Sequence, residues 1–77
     1  MNRVITLYRW FQIDDDGNLT PPEQRFDIDS CEWLTLIKLY NSEIDAHNAL
    51  QEFVGENNYM SEEYVLIKTY KLVSKHY

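Results

Sequence analysis

The sequence predicts an α+β fold: a three- to four-stranded, mainly antiparallel sheet with one helix packed on one face, connected as a split β-α-β unit. Three observations carry this expectation. Residues 3–13 alternate, and residues 64–73 are rich in β-branched and aromatic side chains, as strands are. Residues 42–54 repeat their apolar side chains at helical spacing between two strand-like segments. The 77 residues suffice for one domain, 1–77.

The elements follow in chain order. Residues 3–13 place Ile5, Leu7, Phe11 and Ile13 on one face, and Val4, Thr6, Tyr8 and Trp10 on the other. Asp14-Asp15-Asp16-Gly17-Asn18 reads as a turn, and Thr20-Pro21-Pro22-Glu23 stops regular pairing. Residues 24–29 hold Phe26 and Ile28 between charged neighbours, a fourth strand of edge type. Residues 33–40, Trp-Leu-Thr-Leu-Ile-Lys-Leu-Tyr, read as the second main strand.

The helix starts at an Asn41 or Ser42 cap, with Asp45 closing a Ser-x-x-Asp box and Glu43 favoured by the helix dipole. Ala46, Ala49, Leu50 and Phe53 form its buried stripe, and Gly55 stands where a C-cap glycine belongs. Residues 56–63 read as a polar loop with Tyr59 and Met60 at the tip. A strand, a helix and a strand in succession make a crossover, so the second and last strands run parallel with the first between them. One sheet face is then left bare. The expected helix-facing set is Ile5, Leu7, Phe11 and Ile13 with Val65, Ile67 and Val73. The expected bare face carries Thr6, Tyr8, Trp10, Tyr64, Leu66, Lys68 and Tyr70, with Leu34, Leu36, Lys38 and Tyr40 from the middle segment.

Composition narrows the function. Hydrophobic residues make up 44% and charged residues 26%, which is globular rather than disordered. The net charge of −6 disfavours direct nucleic-acid binding. Charge is also segregated: residues 1–13 carry +2, 14–32 −6, 33–40 +1, 41–63 −6 and 64–77 +3. No apolar run approaches the roughly 18–20 residues a membrane helix needs, and the alternating start with Arg3 and Arg9 does not read as a signal peptide.

A domain this short buries about 60% of its unfolded surface, so small domains lean on disulfides, metals or oligomerisation. Cys31 is the only cysteine, which rules out an internal disulfide and suits a reducing, cytoplasmic location. Cys31, His47 and His76 lack ligand spacing, so no metal and no cofactor is expected. Oligomerisation remains.

Other motifs read blandly. Asp14-x-Asp16-x-Asn18 resembles the start of a Ca²⁺ loop, but Gly17 comes two positions early and Arg25 stands where a bidentate Glu belongs. His47 reads as a boundary residue without a nucleophile to serve, Cys31 as a half-buried filler, and His76 and Tyr77 as frayed ends. No phosphate-cradling loop is present, because Gly17 and Gly55 are the only glycines.

The function expected from these residues is binding without catalysis. The protein would occupy a partner protein, as an inhibitor does, or a second copy of itself, most simply as a homodimer. The candidate contact residues are Tyr8, Trp10, Lys68 and Tyr70, with Arg9 beside them, since aromatic anchors next to cations dominate binding energy. Two alternatives compete. In one, a small oligomer holds a compact anionic ligand such as a nucleotide signal, with the aromatics stacking on its base and Arg9 or Lys68 pairing its phosphate. In the other, the acidic loops mimic a nucleic-acid backbone. Plain cross-strand stabilisation by Tyr, Trp and Lys pairs is the bland account of the same face. Small acidic chains of this kind are frequent among phage and bacterial accessory proteins, an association of size and charge alone.

Overall fold

The fold is organised around one long strand. In the computed structural model, which describes residues 2–74 apart from the side chains of Asn58 and Tyr59, β1 spans Asn2–Ile13. β6 (Tyr64–Ser74) pairs antiparallel along nearly all of it, with Ser74 opposite Asn2 and Tyr64 opposite Gln12. The other edge of β1 carries two short antiparallel strands. β2 (Leu19–Thr20) pairs with Gln12 and Ile13, and β5 (Leu39–Tyr40) pairs with Tyr8 and Arg9. β5 and β6 therefore run parallel with β1 between them, and α1 (Glu43–Val54) crosses from one to the other. This is the expected α+β architecture: a mainly antiparallel sheet with one helix on one face.

Local chemistry sets the boundaries. The Ser42 hydroxyl accepts from the Asp45 backbone N–H at 3.2 Å, capping α1. Gly55 ends it at φ +56°, and its N–H donates to the Gln51 carbonyl. Between β1 and β2, one Asp14 carboxylate oxygen accepts from the backbone N–H groups of Asp16 and Asn18, at 3.0 and 2.8 Å. That carboxylate is spent on the turn. β2 ends at Pro21, and Pro22 is buried.

Several expectations are corrected. Residues 33–40 are not one strand. β4 (Glu32–Leu34) pairs with β3 (Arg25–Asp27) in a separate hairpin, and only Leu39 and Tyr40 join the main sheet. The Thr35 hydroxyl accepts from the Ile37 N–H at 3.1 Å, a local turn that replaces ladder bonds. Leu36 drops fully into the core beside it. The segment expected as an edge strand thus lies in this hairpin, and Cys31 sits exposed at its turn with φ +55° instead of half-buried. Residues 58–63 form a 3-10 helix, with Met60 packed against the core rather than held out at a tip. Lys75, His76 and Tyr77 lie outside the described residues.

The last correction matters most for function. α1 covers the opposite sheet face from the one expected. Trp10, Leu36, Tyr40 and Tyr64 are buried with Ala46, Leu50, Phe53 and Val54, and Tyr8, Leu34 and Leu66 pack against them. The grouping by period two is right. The group that the helix covers is the other one.

Volume and hydrogen bonding explain the inversion. A helix stripe containing Ala46 and Ala49 leaves room that Trp10, Tyr40 and Tyr64 fill, as large-against-small packing requires. The Trp10 indole N–H donates to the Ala46 carbonyl at 2.8 Å, so burial leaves no polar atom unpaired. α1 covers only part of the sheet. Residues 2–7 of β1 and 69–74 of β6 continue past it as a two-stranded ribbon, and the molecule extends 48 Å along its longest axis.

Candidate functional site

The bare side of the β1–β6 sheet is the candidate working surface. By register it carries Ile5, Leu7 and Phe11 on β1, and Val65, Ile67 and Val73 on β6. All six are half-buried and none is buried, because the core lies wholly on the other side. Leu39 continues the face through its pairing with Arg9, and Leu19 through its pairing with Ile13. All three of Leu39, Leu19 and Ile13 are exposed. Arg3, Arg9 and Lys71 share this face, and the Arg9 guanidinium lies 4.8 Å from the Phe11 ring centre.

No carboxylate belongs to it. β1 and β6 contain no acidic residue, and all 13 acidic residues fall within residues 14–63. A chain of net charge −6 thus presents one apolar face studded with cations. The arrangement suits non-covalent docking: an aliphatic strip for hydrophobic contact, with cations for acidic groups at its margin.

The five residues singled out from the sequence are brought near one another but not into one site. Lys68 stands opposite Tyr8, and Tyr70 opposite Thr6, so Tyr8, Trp10, Lys68 and Tyr70 do share a face. The Lys68 ammonium lies 5.8 Å from the Tyr70 ring centre, and both residues are exposed. Trp10, at 3% exposure, belongs to the core and presents nothing to a partner. Arg9 projects from the opposite face, because neighbouring residues in a strand do. Sequence reasoning placed Ile5, Leu7, Phe11, Val65, Ile67 and Val73 under the helix. The signal that finds them is the pair of alanines on the helix stripe, which calls for the bulkier sheet face as its partner.

Elsewhere the chemistry is modest. A shallow cleft of about 330 Å³ lies between β5 and α1, where Lys38 stands with Asp45 and Glu52. Two carboxylates against one ammonium oppose an anionic ligand there. The Tyr40 phenol has its pKa raised by burial and then by Glu52. That of Tyr64 is raised by burial and by Glu63 and Glu23, against a lowering by Arg25. The His47 and Trp10 rings stand nearly perpendicular, with centres 5.4 Å apart. Among the described residues, no three His, Cys, Asp or Glu side chains are grouped to hold a metal ion, and no helix is long and apolar enough to cross a membrane. Comparison with protein-family models, with curated protein sequences and with solved structures finds no match for this chain.

Proposed function

We propose that the protein is a non-enzymatic binding module that acts by occupying a partner protein, as an inhibitor does, through the bare face of its sheet. One observation carries the reading: six half-buried apolar side chains in two adjacent rows, accompanied by three cations and no carboxylate. Monomeric proteins rarely leave a contiguous apolar face of several hundred Å² open to water. The charge pattern specifies the partner's chemistry as an apolar surface with acidic groups around it. The free, exposed Cys31 suits a reducing, cytoplasmic setting.

The test is a differential capture from the natural host. Wild-type protein is compared with a Phe11→Glu/Ile67→Glu variant, whose substitutions fall on the bare face within the helix-backed half of the sheet. A partner held by wild-type protein and lost from this variant, with the variant still folded by far-UV circular dichroism, supports the reading. Equal recovery of every captured protein by both forms rejects it. Native mass spectrometry of the same material detects a small anionic ligand, the rival occupant.

A further inference from the structure

We infer that the cleft between α1 and residues 34–41 is a binding site for an alkylguanidinium group, carried by a small free molecule or by an arginine side chain. Two hollows of about 330 and 260 Å³ lie there, and Lys38, Tyr40, Ala49 and Glu52 line both. Asp45, Asn48, Ala49 and Glu52 recur at helical spacing, so one stripe of α1 forms a wall of the cleft. Ala49, with no side chain beyond Cβ, leaves the space that the two hollows share.

Tyr40 sets the chemistry of the cleft. The residue is 8% exposed, yet among the described residues its hydroxyl takes part in no hydrogen bond. Among the same residues no buried side-chain polar atom lacks a partner, so the phenol oxygen is the part of Tyr40 that reaches the cleft. Burial, and then Glu52, raise its pKa. At neutral pH the phenol is thus protonated, and its oxygen is free to accept from an N–H. The ring face admits a cation as well, because the Lys38 ammonium lies 5.6 Å from its centre. Lys38 is exposed and belongs to the irregular segment between β4 and β5. It is a tethered occupant that a better-fitting cation can displace.

Charge favours a cation, since Asp45 and Glu52 outnumber Lys38 in the cleft. The choice of guanidinium rests on a neighbour. Glu52 also lines a third hollow, which it shares with Arg25. The Arg25 guanidinium lies 5.7 Å from the Phe53 ring centre, and its Nε donates to the Phe53 carbonyl at 2.6 Å. The chain therefore already seats one guanidinium on an aromatic ring beside Glu52. The Tyr40 cleft offers the same set, an aromatic face, an acceptor oxygen and a carboxylate, with no guanidinium lining it. A guanidinium is planar and weakly hydrated, stacks on aromatic rings and meets a carboxylate through paired bonds. The strongly hydrated Lys38 ammonium does none of this, so an incoming guanidinium outcompetes it.

Amide chemical shifts of the isotopically labelled protein test this at low salt, with ethylguanidinium, N-acetylarginine methylamide and butylammonium as probes. Ethylguanidinium is expected to shift Leu39, Tyr40, Ala49 and Glu52 saturably, with a Kd of about a few millimolar. It should bind about threefold more tightly than butylammonium, or better. Lys38→Ala removes the tethered competitor and should tighten binding about threefold, whereas an anion site would lose affinity. Glu52→Gln should weaken binding about fivefold, and Tyr40→Phe, which keeps the ring, about twofold. Phe11→Glu/Ile67→Glu, on the other face of the sheet, should bind as wild-type protein does, so loss of partner capture and loss of this site are separate failures. Saturation by N-acetylarginine methylamide at similar strength marks an arginine side chain as the source. Its exclusion, with ethylguanidinium still bound, marks a small free guanidine. The inference is overturned if ethylguanidinium does not saturate, or if its shifts spread equally over the acidic turn at Asp14 and the loop at Glu62. It is also overturned if butylammonium binds as well, or if Lys38→Ala weakens binding.

Discussion

The two faces of the β1–β6 sheet are built from the same two strands and differ in almost every physical respect. The covered face is aromatic and polar-tipped, with Trp10, Tyr40 and Tyr64 sealed under α1. The bare face is mainly aliphatic and cationic, with Ile5, Leu7, Val65 and Ile67 interleaved with Arg3, Arg9 and Lys71. Residue type alone suggests the reverse, because aromatic residues with polar tips are typical of interfaces and aliphatic rows are typical of cores. The partner decides. A helix stripe narrowed by alanine takes the bulkier face, and a carbonyl on that helix satisfies the indole that would otherwise be costly to bury.

Substitutions on the two faces should therefore have unequal effects. The largest is expected from Trp10→Ala, which empties a full aromatic site and removes the bond to Ala46. Chemical denaturation should show a loss of about 3–5 kcal/mol. A domain of this size has about 4–12 kcal/mol in total, so the variant should be close to unfolded at physiological temperature. A loss below about 1 kcal/mol would contradict the covered face. Leu50→Ala, on the helix side of the same contact, should cost about 2–5 kcal/mol.

Ser42→Ala removes the hydroxyl that accepts the Asp45 N–H and should cost about 1 kcal/mol, measured by the shift in denaturation midpoint. On the bare face, Ile67→Thr keeps a β-branched side chain in β6 and should change monomer stability by less than about 0.5 kcal/mol. A core-sized loss there would mean that the bare face is covered in the monomer.

The smallest effect is expected in alkali. Burial raises the pKa values of Tyr40 and Tyr64 above the free value of 10.0. A group whose folded pKa is raised contributes stability that is complete below the unfolded pKa and is lost as pH rises through the folded one. Stability should thus hold up to about pH 10 and fall above it. In a titration of phenolate absorbance, these two tyrosines should ionise above the free value of 10.0.

Much of this architecture was legible in the sequence. The spans of the first and last strands, the Ser42 and Gly55 helix boundaries, the Asp14 turn and the crossover all rest on local chemistry that neighbouring residues specify. Period two also sorted Tyr8, Trp10, Lys68 and Tyr70 onto one face. Two features were not legible, since both depend on distant partners. The break at Thr35 arises where Leu36 is drawn into a core assembled from α1 and β1. The choice of covered face depends on residues 36 positions apart, the separation of Trp10 from Ala46. The candidate surface followed that choice, so Phe11 and Ile67 came into view only with the helix in place.

The register of β1 with β6 also bears on how fast the molecule forms. Its pairs join residues separated by between 52 and 72 positions, from Gln12 with Tyr64 to Asn2 with Ser74. β2, Leu39 and Tyr40 provide only short ladders nearer in the chain. The main sheet therefore closes by the most non-local contacts this chain can make, which places it among slow folders for its size. Until β6 arrives, β1 keeps an unpaired backbone edge and two rows of apolar side chains in water. During that interval the strand at the centre of the finished sheet is the segment most open to mispairing with other chains.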